Sequence, residues 1–272
     1  MAADSPRQAG RLVFAAGPLS GASVVITRPA ATARALQQRV RVLGGAVVSL
    51  PGTVLRATSA PAMKAELRAA QDADVAIFVS PSAVRFAFAL RRSLRFAPRT
   101  RVCAVGEATR RALRRHGVRQ VSAPPADRQD SEGLLALPEL RALRGKRVVI
   151  VGAPGGRELL AQTLRARRAK VQEVHVYERR PPRFSRRQLA GLEQAAAPLL
   201  ILVSSAEVLD NLREHLPLAL YARLAEGDLV VSSARLAGLA RSGLFGRIHV
   251  AASPAPADLL RTAAGVLARH RL

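Results

Sequence analysis

The chain has 272 residues, 49% of them hydrophobic, with 43 Lys plus Arg set against 19 Asp plus Glu. That length allows two domains of ordinary size, each burying its own core, and the composition excludes a disordered tail. No apolar run approaches the roughly 20 residues a membrane-spanning helix needs, and 3% aromatic content with no Trp leaves no stacking platform for single-stranded nucleic acid. In chain order, residues 1–20 read as a loose extension. Their apolar patch at Leu12 to Ala15 follows no basic leader, so a secretory signal is not expected. Short β-branched runs then predict strands at 23–27, 47–50, 75–79, 101–104, 119–122, 147–151, 171–177, 199–203, 229–231 and 247–251, with helix-period segments filling most gaps. Such alternation predicts an α/β protein built on doubly wound parallel sheets, helices on both faces. The single Cys103 cannot form an internal disulfide, which fits a reducing cytoplasm.

An internal repeat underlies the alternation. "SVVITRPAATARALQQRVRVLGGAVVSL" (23–50) aligns with "RVVIVGAPGGRELLAQTLRARRAKVQEV" (147–174), and "IFVSPSAVRF" (77–86) with "ILVSSAEVLDNL" (201–212), each about 124 residues apart. A third pair, 101–127 with 228–258, keeps the same order at a slightly larger offset. Three matched blocks in one order imply two related halves.

Each repeat ends its strands in small or hydroxyl residues where a helix begins. The candidates are Thr27 and Arg28, Ser80 and Ser82, Gly106 and Thr109, Gly155 and Gly156, Ser204 and Ser205, and Ser232 and Ser233. A helix N-terminus leaves up to four backbone N–H groups without intrahelical partners and carries partial positive charge. Small residues admit an anion to those donors, and a hydroxyl adds a hydrogen bond. The same serines suit simple N-capping, so each taken singly has two readings. Ligands of parallel α/β sheets bind at the carboxyl ends of the strands, which favours the set as a binding rim. Charge points the same way. Of the 43 cations 40 are Arg, and although many read as solvated helix faces, the summed field draws anions.

Recognisable catalytic motifs are missing. The glycines at 152, 155 and 156 do not match G-x-G-x-x-G, which leaves a nucleotide-dependent oxidoreductase as a weak alternative. There is no phosphate loop, H-E-x-x-H, cysteine pair or G-x-S-x-G elbow, and the five histidines are scattered without metal-ligand spacing.

The chain from about Ser23 onward resembles the uroporphyrinogen-III synthase family. The resemblance is carried by "VVITRPA", "FVSPSAVRF", "AVGEATRRAL", "DSEGLLALPELRALRGKRVVIV" with "GGREL", "VHVYERRPP", "LVSSAEVLDNL", and "VVSSARLAGLARSG" with "SPAPADLL", in that order. It implies a discontinuous first lobe (21–50 plus 182–272), a second lobe (58–173), extended connectors at 51–57 and 174–181, and a ligand cleft between the lobes. The implied reaction closes hydroxymethylbilane, a linear tetrapyrrole with eight carboxylates, into uroporphyrinogen III, inverting the last ring and losing water. No cofactor and no metal are implied, nor nucleic acid or membrane. A cytoplasmic monomer is expected, with possible transient contact with the upstream bilane-forming enzyme. By the same resemblance Tyr177 is the candidate acid for the leaving hydroxyl, and Ser80, Thr109, Ser204 and Ser233 would contact substrate. Tyr177 also has the reading of an ordinary strand tyrosine. Where relatives often carry Arg-Gly, this chain has Gly152-Ala153, so a cation is missing there and Arg157 is the one nearby. A two-lobed anion-binding module without turnover remains the other alternative.

Overall fold

The computed structural model describes residues 17–58, 61–125, 128–155 and 158–270. The strands are β1 Ser23–Ile26, β2 Ala46–Ser49, β3 Val54–Ala57, β4 Val75–Phe78, β5 Arg101–Ala104, β6 Arg147–Gly152, β7 Lys170–His175, β8 Tyr177–Arg180, β9 Leu199–Val203, β10 Asp228–Val231 and β11 Arg247–Val250. The helices are α1 Ala30–Val42, α2 Pro61–Gln71, α3 Pro81–Leu90, α4 Glu107–Arg115, α5 Ser131–Leu135, α6 Glu158–Ala166, α7 Arg186–Glu193, α8 Ala206–His215, α9 Leu218–Ala225, α10 Ala234–Arg241 and α11 Pro256–His270. The chain forms two units, one comprising the residues up to Val54 and from Pro181 onward, the other Leu55–Arg180. The chain passes from one unit to the other after Val54 and after Arg180, in the segments 51–57 and 174–181. Those segments carry β3 and β8, which pair as a two-stranded sheet.

In the first unit five parallel strands lie in the order β11-β10-β9-β1-β2. Alternate residues face opposite ways, as strand geometry requires. Val24, Ile26, Leu200, Leu202 and Val230 pack with α1 and α11. Val25, Ile201, Val203, Leu229 and Val231 pack with α7, α8, α9 and α10. Burial on both faces is why β9 reads "LLILV" with no polar position. Each such side chain contributes about 1.5–3 kcal/mol on burial, so a charge at Ile201 would break the central strand.

The second unit has four parallel strands in the order β5-β4-β6-β7. Ala76, Phe78, Val149 and Val151 face α2, α3 and α4. Val75, Ile77, Val148 and Ile150 face α5 and α6.

The repeat is realised as one sheet plan with its chain order permuted. β1 and β2 correspond to β6 and β7, β9 to β4, and β10 to β5. The pair opening the first unit closes the second. Register corrects the sequence alignment by one residue. Ile26 pairs with Leu202, whereas its counterpart Ile150 pairs with Ile77. Facing agrees, because Ile201 and Ala76 both point to the helices that follow their strands. Ser80 therefore corresponds to Ser205, not to Ser204.

Three sequence expectations are revised. The strand expected at 119–122 is a single parallel bridge from Ser122 to Cys103, in the place that β11 takes beside β10. Pro124 and Pro125 lack N–H groups to extend the ladder. The strand expected at 171–177 divides at Val176, whose N–H donates to Gly152 in one sheet (3.0 Å) while its carbonyl accepts from Thr58 in the β3 connector (3.2 Å). Residues 17–20, expected to be loose, are packed: Leu19 is fully buried and its N–H donates to the Leu43 carbonyl at 2.9 Å.

Candidate functional site

Parallel strands place all their carboxyl ends on one edge of each sheet. In both units the chain order reverses beside the same strand, between β1 and β9 in one and between β6 and β4 in the other, and such a switch point opens a crevice at the carboxyl edge.

On the first unit's edge, Arg28 follows β1, Ser204 and Ser205 follow β9, and Ser232 and Ser233 follow β10. The Arg28 guanidinium donates to the Pro254 carbonyl, while its Nε is buried with no hydrogen-bond partner. Burial pushes this guanidinium below its ordinary pKa. A cation in that state gains from an anion. Ser233 caps α10 by accepting the Leu236 N–H at 3.3 Å. Ser205 is the N-cap of α8 but makes no side-chain cap bond, and Ser204 and Ser205 are both half-buried. Ser232 is likewise half-buried. Thr27 does not reach outward: it is buried and its Oγ1 donates to the Leu202 carbonyl at 2.7 Å, fastening β1 to β9.

On the second unit's edge, Ser80 is the N-cap of α3 and accepts the Ala83 N–H at 3.0 Å. Its Oγ also lies 3.3 Å from the Tyr177 hydroxyl. Tyr177 is 3% exposed, its ring stacked on Phe86 with centroids 5.1 Å apart and planes 18° from parallel. The residue is thus both well packed and tied at its polar tip to a helix N-terminus.

The rest of this edge departs from expectation. Ser82 and Thr109 are buried within α3 and α4. At Gly106 the Glu107 N–H already donates to Gln129 Oε1 at 3.1 Å, and that oxygen would lie 2.6 Å from a Cβ at Gly106. A larger residue there would have to push the Gln129 side chain aside. Gly155 takes φ +67°, a left-handed turn favouring glycine. Gly156 and Arg157 lie outside the described residues.

Two residues were missed. Phe86 sits in the quoted "SAVRF", but nothing in its spacing shows that it meets Tyr177, 91 positions on. Asn211 is buried on α8 and donates to the Gly52 carbonyl at 2.8 Å. A polar residue on the buried face of a helix is the signal that could have found it.

Uroporphyrinogen-III synthase HemD is the family description that matches residues 34–261. The uroporphyrinogen-III synthase of Salmonella typhimurium is 36% identical over 251 residues, covering 88% of this chain and 98% of that protein. This chain belongs to the uroporphyrinogen-III synthase family. The synthase of Escherichia coli is 34% identical with the same coverage. Two solved members of the family share the fold. A mutant uroporphyrinogen III synthase from Thermus thermophilus gives a TM-score of 0.59 at 18% identity, covering 91% of this chain and 99% of that one. The uroporphyrinogen-III synthetase from Helicobacter pylori 26695 gives 0.60 at 13%, covering 91% and 100%. The oxidoreductase alternative has no support in these relationships. Among the described residues, no group of three or more His, Cys, Asp or Glu is placed to hold a metal ion. No helix among them is long and apolar enough to cross a membrane.

Proposed function

We propose that the chain acts as a uroporphyrinogen-III synthase in which the first unit's carboxyl edge binds carboxylates and the second unit's edge supplies the proton donor. Family membership carries the activity: more than a third of aligned positions match a synthase nearly end to end. The bilane's acetate and propionate arms would meet Arg28 and the helix N-termini at Ser204, Ser205, Ser232 and Ser233, with the backbone N–H groups of the Gly155 turn offering donors in the second unit. An Arg held by a backbone carbonyl and short of one partner is suited to a carboxylate.

In the reaction, the hydroxyl of the terminal hydroxymethyl group departs as water when Tyr177 gives it a proton, leaving the methylene on the ring, and the pyrrole nitrogen supplies the electron pair. The azafulvene cation so formed is attacked by the substituted carbon of the last ring, giving a spiro intermediate. Fragmentation and reclosure deliver the inverted ring, and the proton lost on closure restores the phenol. Ser80 accepts the Ala83 N–H, so its own O–H can point at the Tyr177 oxygen and leave the phenol proton for the substrate. Binding both ends of a flexible chain supplies much of the remaining acceleration through proximity.

We further place the enzyme in the cytoplasm, as a monomer without cofactor, meeting the bilane-forming enzyme transiently; the lone Cys103, buried, is consistent with a reducing compartment. Purified protein supplied with enzymatically generated hydroxymethylbilane should yield isomer III well above isomer I with nothing added. Isomer I alone, at the spontaneous rate, would leave a binding module as the surviving reading.

A further inference from the structure

We propose that Phe86 is a positioning residue for Tyr177, acting on the reaction through the phenol and not on the substrate. This rests on Tyr177 being the proton donor. Phe86 lies on the same helix that Ser80 caps, so α3 holds the tyrosine at two points: the ring face against Phe86 and the hydroxyl 3.3 Å from Ser80. Ser80 is itself fixed by the Ala83 N–H, and the Phe86 ring by the Arg85 guanidinium, 4.4 Å from its centroid. Phe86 is half-buried, at the margin of its core cluster, so filling the interior is not its main demand.

The first unit gives an independent reason. By strand register the counterpart of Phe86 is Asn211, and Asn211 fastens Gly52, in the segment leaving β2. Phe86 fastens Tyr177, in the segment leaving β7. One slot on the helix after the switch strand therefore holds the chain just past the edge strand in both units. In the second unit that slot is filled by an aromatic ring, and what it holds is the phenol.

A displaced phenol loses rate more than binding, because small misplacements of a reacting group are costly. Phe86→Leu should lower kcat about tenfold with KM changed less than about twofold, and Phe86→Tyr, which keeps the ring face, should restore most of the rate. Combined with Tyr177→Phe, Phe86→Leu should add less than about twofold further loss, since both changes then act on one group. The chain has two tyrosines and no Trp, so in a Tyr221→Phe background tyrosine emission reports Tyr177 alone; acrylamide should quench it more strongly once Phe86→Leu is added. If Phe86→Leu fails to fold, Phe86→Met serves the same comparison. A fully active Phe86→Leu beside a slow Tyr177→Phe, or losses that multiply in the double variant, overturns the positioning role while leaving Tyr177 as donor. A fully active Tyr177→Phe overturns both.

Discussion

The two units share a sheet plan yet fill the same edge differently. Where the second unit sets Tyr177 against Ser80 and Phe86, the first has Thr53, Ser205 and Asn211. Thr53 is buried, Ser205 makes no side-chain cap bond, and Asn211 is spent on the Gly52 carbonyl. One scaffold thus yields an edge with a phenol braced by its neighbours and an edge with a half-buried Arg and uncommitted hydroxyls. The repeat supplies two strand-end edges, and in the proposed reaction side-chain choice divides acid assistance from anion binding between them.

The sharpest contrast lies between Tyr177 and its counterpart. Tyr177→Phe should slow turnover about a hundredfold or more, the scale of a general acid, while Thr53→Val leaves the rate of isomer III formation within about twofold of the parent. Equal losses at both would erase the distinction between the units. In stability the order reverses toward the first unit. Asn211→Leu leaves the Gly52 carbonyl without its buried partner, at a cost of about 1–3 kcal/mol in urea unfolding. A shift within error would mean that this tie does not hold the segment. The caps should separate more gently: Ser80→Ala removes a cap bond and costs about 1 kcal/mol, whereas Ser205→Ala removes none and should cost a few tenths at most. A larger loss at Ser205 would show that its hydroxyl is engaged within the fold.

The smallest effect concerns pH. Asp228, at the start of β10, is buried; burial alone would raise its pKa, but hydrogen bonds from His249 (2.8 Å) and His270 (2.9 Å) and the charge of Arg247 lower it overall. Its contribution is present above the ordinary aspartate value of about 3.9 and is lost as pH falls through the lower folded-state value. Asp228→Asn should flatten the acid limb of the stability profile between those two values; an unaltered limb would show that the cluster adds nothing. The second unit offers an internal reference. Burial, the largest cause, pushes the Cys103 thiol up to about 12, so it should resist alkylation at pH 8 until that unit opens.

Much of the fold was legible because strands buried on both faces leave unbroken apolar runs, as "VVI", "VAIF" and "LLILV" do. The connectors were harder. β3 and β8 are mostly exposed, so no alternation of apolar and polar residues marks them. Residues 119–122 look like a strand by composition, yet only Ser122 pairs, and the two prolines that follow withhold the N–H groups that would carry the ladder onward. Among the proposed site residues, the hydroxyls after β9 and β10 are suggested by the strand-end pattern and the phenol after β7 by the family resemblance. The inward placement of Thr27 and Thr109 left no trace in the sequence, since a hydroxyl at a strand end or in a first helical turn can point either way. Gln129 could not be foreseen, because a side chain closing a helix N-terminus 22 residues away leaves no periodic trace.

The division of labour between the two edges is tested most directly by steady-state kinetics of Arg28→Gln beside Tyr177→Phe, each with hydroxymethylbilane and with the isomers separated. Arg28→Gln should raise KM and largely spare kcat, and Tyr177→Phe should lower kcat and largely spare KM. The opposite pattern, or two variants indistinguishable in both constants, would contradict it.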